Sequence, residues 1–211
     1  MTILRAIFRT KEGNRSIWEI IIEGEKWREV HRTIFGAKPV LPSFSGEDNL
    51  QMVFDRYEYS RVRNYVLWRL STQSMHSEQL TKQLRERLAQ GHTITRVIGE
   101  FQDSGIIDDE TWLRNFIQSR KKRYSRRHIL ALLHSKGISI ESIDQQGDLW
   151  NNPEEDVQAI QYLLKTRYRT KDLSNRQERQ KVITSLARKG YSFELIKKAL
   201  HECSGAIKSA G

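Results

Sequence analysis

The chain has 211 residues with 36 Lys and Arg against 26 Asp and Glu, a formal net charge of +10 and a pI near 9.8. A balance that basic points to a polyanionic partner, nucleic acid or nucleoprotein, ahead of small-molecule chemistry. No apolar run approaches the roughly 18 residues of a membrane span. The N-terminus lacks an apolar signal region, and the single cysteine, Cys203, excludes an internal disulfide framework, so a cytoplasmic protein with no membrane partner is expected.

Residues 1–35 read as a three-stranded antiparallel meander. Ile3 to Phe8 is β-prone, Glu12-Gly13-Asn14 is a turn, Ser16 to Ile22 is β-branched and aromatic, Glu23-Gly24-Glu25 is a second turn, and Lys26 to His31 alternates in part. Its charge is nearly balanced. Residues 36–57 form a linker and lead-in, with Pro39, Pro42, Ser43, Ser45 and Gly46 near its start.

From about Asp48 the pattern is helical. Val62, Tyr65, Val66 and Leu70 mark one helix. Leu80, Leu84 and Leu88 mark the next, with Ser77 as N-cap and Gly91 as stop. Ile94, Val97, Ile98 and Phe101 mark a third, ending near Gly105. Asp108 or Asp109 can cap a helix whose apolar face is Trp112, Leu113, Phe116 and Ile117. Ile129, Leu130, Leu132 and Leu133 give the next its apolar side, with Gly137 at the C′ position. A short helix covers Ser139 to Gln145. Asn152-Pro153-Glu154-Glu155-Asp156 is a strong start signal for a helix with Val157, Ile160, Leu163, Leu164 and Tyr168 on one face. Val182, Ile183 and Leu186 form the next, stopped by Gly190, and Phe193, Ile196, Ala199 and Leu200 the last.

A weak repeat runs through these helices: an apolar helical stretch, a glycine, then a second short helix. The glycines are Gly91, Gly137 and Gly190, spaced 46 and 53 residues apart. Three three-helix modules are expected, at 58–107, 108–150 and 151–204, with a tail at 205–211. Stacked, they would form an elongated curved solenoid. The fold class is therefore mainly α with a small N-terminal β-extension.

Charge is segregated along this frame. Residues 113–136 hold eight Lys and Arg and no acid. Residues 138–156 hold six acids and no base. Residues 165–190 hold nine Lys and Arg against Asp172 and Glu178. The candidate contact residues for a polyanion are Arg114, Arg120, Lys121, Lys122, Arg123, Arg126 and Arg127 in the first block. In the second they are Lys165, Arg167, Arg169, Lys171, Arg176, Arg179, Lys181, Arg188 and Lys189. Ordinary solvated helix faces with ion pairs between modules are the competing account, since the acidic run could fold back on the first block.

Catalytic signals are missing. The six histidines form no zinc-type spacing, and no phosphate loop or nucleophile elbow is present. Asp108, Asp109 and Glu110 are explained by their helix-start position. Trp68, Trp112 and Phe116 read as core rather than as base-stacking platforms. Neither an enzyme nor a cofactor is expected.

Four elements in order resemble the RecX family, bacterial modulators of the RecA recombinase. His76-Ser77-Glu78-Gln79-Leu80 looks like its first-module start. Gly105-Ile106-Ile107-Asp108-Asp109-Glu110-Thr111-Trp112 is similar to its Asp-Asp element, with Trp112 where the family has Phe. Phe116 to Arg120, then Tyr124 to Gly137, follow its second module, and Arg188-Lys189-Gly190-Tyr191-Ser192 with Ile196 resembles the close of its third. The resemblance covers about residues 58–202. It implies a protein that binds the groove of the RecA–single-stranded DNA filament, meeting the DNA directly or through the filament, and modulates, mostly inhibits, its recombinase, ATPase and co-protease activities; beside it, a non-enzymatic monomer is expected. A stand-alone, non-specific DNA-binding protein is the alternative.

Overall fold

The computed structural model describes residues 3–4, 6–45, 47–144 and 154–208. It is mainly helical with a small antiparallel sheet at its start. Strands β2 (Ala6–Lys11), β3 (Asn14–Ile22) and β4 (Glu25–His31) form the expected meander in that order. Between β3 and β4 only Glu23 and Gly24 remain, at φ 52° and 88°, the paired positive angles of a two-residue hairpin turn. A separate two-stranded pair joins β1 (Ile3–Leu4) to β5 (Phe44–Ser45).

Ten helices follow the sheet among the described residues. A short α1 (Arg32–Phe35) leads to the long α2 (Glu47–Thr72), then α3 (Ser77–Glu86) and α4 (Gly91–Asp103). Next come α5 (Asp109–Lys121), α6 (Arg126–Ser135) and α7 (Ile140–Asp144), then α8 (Glu155–Thr166), α9 (Arg176–Arg188) and α10 (Phe193–Lys208). Helix α2 begins inside the stretch read as linker and lead-in. Asn152 and Pro153, part of the α8 start signal, lie outside the described residues.

The chain divides into two compact units, residues 1–109 and 110–211. In the first, sheet and helices share one core. Ile20 and Val30 of the sheet, Phe54, Val62 and Val66 of α2, Leu80 and Leu84 of α3, and Val97 of α4 are all fully enclosed. Trp27 meets Phe54 edge-on at 5.1 Å, and Phe35 stacks on Phe54 at 5.9 Å. The second unit holds two clusters. One is built on Leu113, Ile117, Ile129, Leu133 and Ile138, the other on Ile160, Leu163, Leu186, Ile196 and Ala199.

The repeat is real but registers differently from its glycines. Helices α3, α6 and α9 end alike. Leu84, Leu133 and Leu186 accept the N–H of Ala89, Ile138 and Tyr191 at 3.1, 3.1 and 3.4 Å. The preceding residues, Leu88, Gly137 and Gly190, sit in the left-handed region at φ 60°, 87° and 90°. Each donates one further bond back into the last turn, at 3.0, 2.9 and 2.9 Å. This is the paired C-terminal motif in which a residue beyond the helix also touches its last turn. That residue is buried each time, at 9%, 1% and 3% exposure, over a leucine at 0%. The following helix starts three residues after the left-handed one in all three cases. The counterpart of Gly137 and Gly190 is thus Leu88, and Gly91 opens α4 instead of stopping α3.

Three smaller expectations change. His76 is the N-cap of α3 in place of Ser77, its Nδ1 accepting from Glu78 N at 3.2 Å. Phe193, expected on the core face of α10, is 60% exposed. Trp68, read as core, is 55% exposed. From Val62 the helical spacing of three and four leads to Tyr65, Val66 and Arg69, and Trp68 falls off that stripe.

Candidate polyanion-binding face

A recurring carboxylate joint sets the frame. Asp109, the first residue of α5, accepts Ser77 N at 2.6 Å and Ser77 Oγ at 2.5 Å, at the N-terminus of α3. Asp156, in the first turn of α8, accepts Arg126 N at 3.3 Å at the N-terminus of α6. Both times an acid opening one triplet satisfies an orphan amide of the triplet before it. Asp109, which opens α5, thus serves the start of α3.

In the second unit this joint brings the two basic blocks together. Ser125 caps α6, accepting His128 N at 3.2 Å, while its own N–H donates to Lys189 O at 3.1 Å. Gly190 lies against the same turn. A Cβ there would fall on Ser125 Oγ and 2.8 Å from His128 Cβ. The Lys189 ammonium sits 4.6 Å from the centre of the Tyr124 ring, and Tyr124 stacks on His128 at 4.8 Å and 10°. Tyr168, the neighbour of Arg167, meets Ser185 Oγ through its hydroxyl at 2.7 Å, one turn before Lys189. Partial burial, then the charges of Arg167 and Arg123, hold the Lys189 ammonium below its usual pKa. The charges of Arg123 and Arg167 thus both bear on Lys189, which brings together three of the candidate residues from three chain segments.

The other candidates are dispersed or engaged. Arg114 pairs with Glu110 at 2.5 Å. Arg120 lies over Phe116, 3.7 Å from the ring centre, and donates to Phe116 O at 3.2 Å. Lys121 meets Glu155 at 3.7 Å, so the acidic run does fold back on the first block, at this residue and at the Arg126 amide. Lys171 pairs with Glu178 at 3.4 Å. Among the described residues no ion pair holds Lys122, Arg123, Arg127, Arg167, Arg169, Arg176, Arg179, Lys181, Arg188 or Lys189. Lys165, Arg169, Arg176, Arg179, Lys181 and Arg188 are exposed without an interaction that draws them into the cluster.

Tyr124 and His128 were not expected in the site. The available signal was an aromatic inside a run of cations. Lys189 over one side of Tyr124 and His128 stacked on it leave the ring as a support for charge, not a platform for a base. Trp112 and Phe116 stack at 5.0 Å, with Phe116 buried. Among the described residues no group of His, Cys, Asp and Glu is arranged to hold a metal ion, and no helix is long and apolar enough to cross a membrane.

Several known proteins resemble the chain. Residues 154–200 match the family model described as RecX, third three-helix domain, which spans α8 and α9 and the first half of α10. The chain is 26% identical over 162 residues to the Regulatory protein RecX of Clostridioides difficile (strain 630), covering 74% of both chains. It is 26% identical over 146 residues to that of Thermobifida fusca (strain YX), covering 68% of this chain and 79% of the other. Two solved structures share the fold. A crystal structure of regulatory protein RecX superposes with a TM-score of 0.51 at 19% identity, over 92% of this chain and 99% of the other. RecX from Lactobacillus salivarius gives 0.50 at 22%, over 68% and 95%.

Proposed function

The chain belongs to the RecX family, and from that premise we propose that it binds the RecA–single-stranded DNA filament and modulates, mostly inhibits, its recombinase, ATPase and co-protease activities. The family's regulatory name carries the class of function. The observation that carries the binding face is the convergence of Arg123, Arg167 and Lys189, a cluster without a carboxylate partner among the described residues. Confining three like charges costs repulsion that a phosphate or an acidic groove would offset. Such charges supply affinity and salt dependence without reading sequence. The protein acts as a monomer and without chemistry of its own, through modules that the sequence divides at 58–107, 108–150 and 151–204.

The test is the ATPase rate of a RecA filament titrated with this protein. Inhibition that saturates is expected. A variant with Arg123→Gln, Arg167→Gln and Lys189→Gln should need more protein for the same effect. Its log K should fall less steeply with log salt, by up to roughly 0.7 for each single-strand phosphate that is no longer neutralised. A filament ATPase indifferent to the unsubstituted protein would refute the reading.

A further inference from the structure

A second cationic group lies in the first unit, where the sequence nominated nothing. Arg69 sits on the core-side stripe of α2 and is half-buried, yet its side chain makes no hydrogen bond or ion pair among the described residues. Its Nε is shut off from solvent without an acceptor, and its guanidinium lies 5.7 Å from the centre of the Trp68 ring. Trp68 in turn lies 6.0 Å from Tyr65, and the guanidinium of Arg87, from the end of α3, lies 5.6 Å from Tyr65. Arg87 is braced by one bond, Nη1 to Gln83 O at 2.9 Å, and its Nε is likewise enclosed and unpartnered. The run is thus Arg87, Tyr65, Trp68, Arg69, with the left-handed Leu88 following Arg87 at 43% exposure. Near Arg87 the titratable neighbour is His31, whose pKa is lowered by burial first and by the Arg87 charge second. No ion pair to a carboxylate answers either arginine among the described residues.

Two half-buried guanidiniums at either end of a Tyr65–Trp68 pair, whose tryptophan exposes more than half its surface, are a poor use of that surface unless something covers them. We propose that Trp68, Arg69 and Arg87 form a binding subsite for single-stranded nucleic acid, in which a base stacks on Trp68 and adjoining phosphates meet the two guanidiniums. The pairing of ring and cation matches that chemistry. Every base offers a π-face, so stacking is tolerant of sequence, and the arginines track the backbone. Because Arg87 is already braced by Gln83 O, little of its side-chain entropy is lost when an anion arrives. An acidic protein segment would use the arginines but has no need of an exposed indole, which favours nucleic acid. The subsite stands apart from the filament reading and requires no RecA.

The experiment is fluorescence anisotropy of a labelled oligothymidylate titrated with the full chain at several salt concentrations. Trp68→Ala should weaken binding roughly tenfold, within the range found for loss of one stacked base, and leave the dependence of log K on log salt unchanged. Trp68→Phe should recover most of the affinity. Arg69→Gln and Arg87→Gln should each flatten the salt slope by up to about 0.7. Circular dichroism of each variant reports the fold, and Trp68→Phe keeps the test open should Trp68→Ala fail to fold. Oligothymidylate binding that survives both Trp68→Ala and the two arginine changes would overturn the proposal. So would a loss confined to filament inhibition with naked oligonucleotide binding intact, which would make the patch a protein-docking surface.

Discussion

Gly190 answers two constraints at once, a φ of +90° and close approach to the first turn of α6. Gly24 has nearly the same backbone angle, but a methyl group added there would meet nothing within 4 Å. Gly24→Ala should therefore cost only the left-handed strain, about 1 kcal/mol. Gly190→Ala should cost clearly more in denaturant unfolding, and equal costs would mean that α6 and the end of α9 do not meet. Its neighbour Tyr191 is 3% exposed, and its hydroxyl is buried without a partner. Burial first, then the nearby Asp156, drives its pKa well above the ordinary tyrosine value. Removing an unsatisfied buried hydroxyl should be free or favourable, so Tyr191→Phe should leave stability unchanged or raise it by up to about 1 kcal/mol. His76 carries a pH dependence. Burial holds its pKa below that of a free imidazole, against the smaller pull of Asp109 and Glu78. With the folded value below the unfolded one, protons bind the unfolded chain first. Stability should fall as pH drops below about 6.5 and keep falling until the folded-state value is passed. His76→Asn keeps a capping acceptor and should flatten that decline in unfolding measured between about pH 7 and pH 5.

Between elements, the shared device is the carboxylate that opens one helix and serves the start of another. Asp109 holds Ser77 through two short bonds, Asp156 holds Arg126 through one longer one. Hydrogen bonds to a charged acceptor contribute about 1.5–3 kcal/mol each when buried. Asp109 keeps a 24% exposed side chain, so Asp109→Ala should cost about 1.5 kcal/mol in chemical denaturation, and Asp156→Ala less. The helices themselves were legible, because leucine and isoleucine at spacings of three and four leave little choice: Ile94, Val97, Ile98 and Phe101 are all buried as expected. The repeat register was not. A glycine is the expected occupant of a left-handed C′ position, and in the first triplet a leucine stands there, so alignment on glycines slid by three residues. An aromatic beside Val66 and Leu67 reads as core, but once the helix is wound Arg69 takes the inward place and Trp68 stays 55% exposed.

For the molecule as a whole, the separate cores imply separate stabilities. One cluster unites the sheet with α2, α3 and α4, and two others serve residues beyond 110. Differential scanning calorimetry should show more than one transition, where a single two-state transition would mean tighter coupling than these cores provide. The basic character was plain from composition. What the sequence hid was which charges are spoken for. Lys121 and Lys171 are paired and Arg120 rests on a ring, whereas the charges of Arg123 and Arg167 bear on Lys189 only once the chain has folded, because no local pattern relates residues so far apart. The Asp109 bond also has a bearing on synthesis. A ribosome delivers the start of α3 well before the side chain that completes its first turn, since Ser77 and Asp109 are 32 residues apart. The first unit therefore stays unfinished, with the Ser77 amide unanswered, until the opening of α5 has emerged. At two places in this protein the start of a stretch is thus closed by the one made after it, and a nascent chain released just before Asp109 should be more open to proteases than one released a helical turn later.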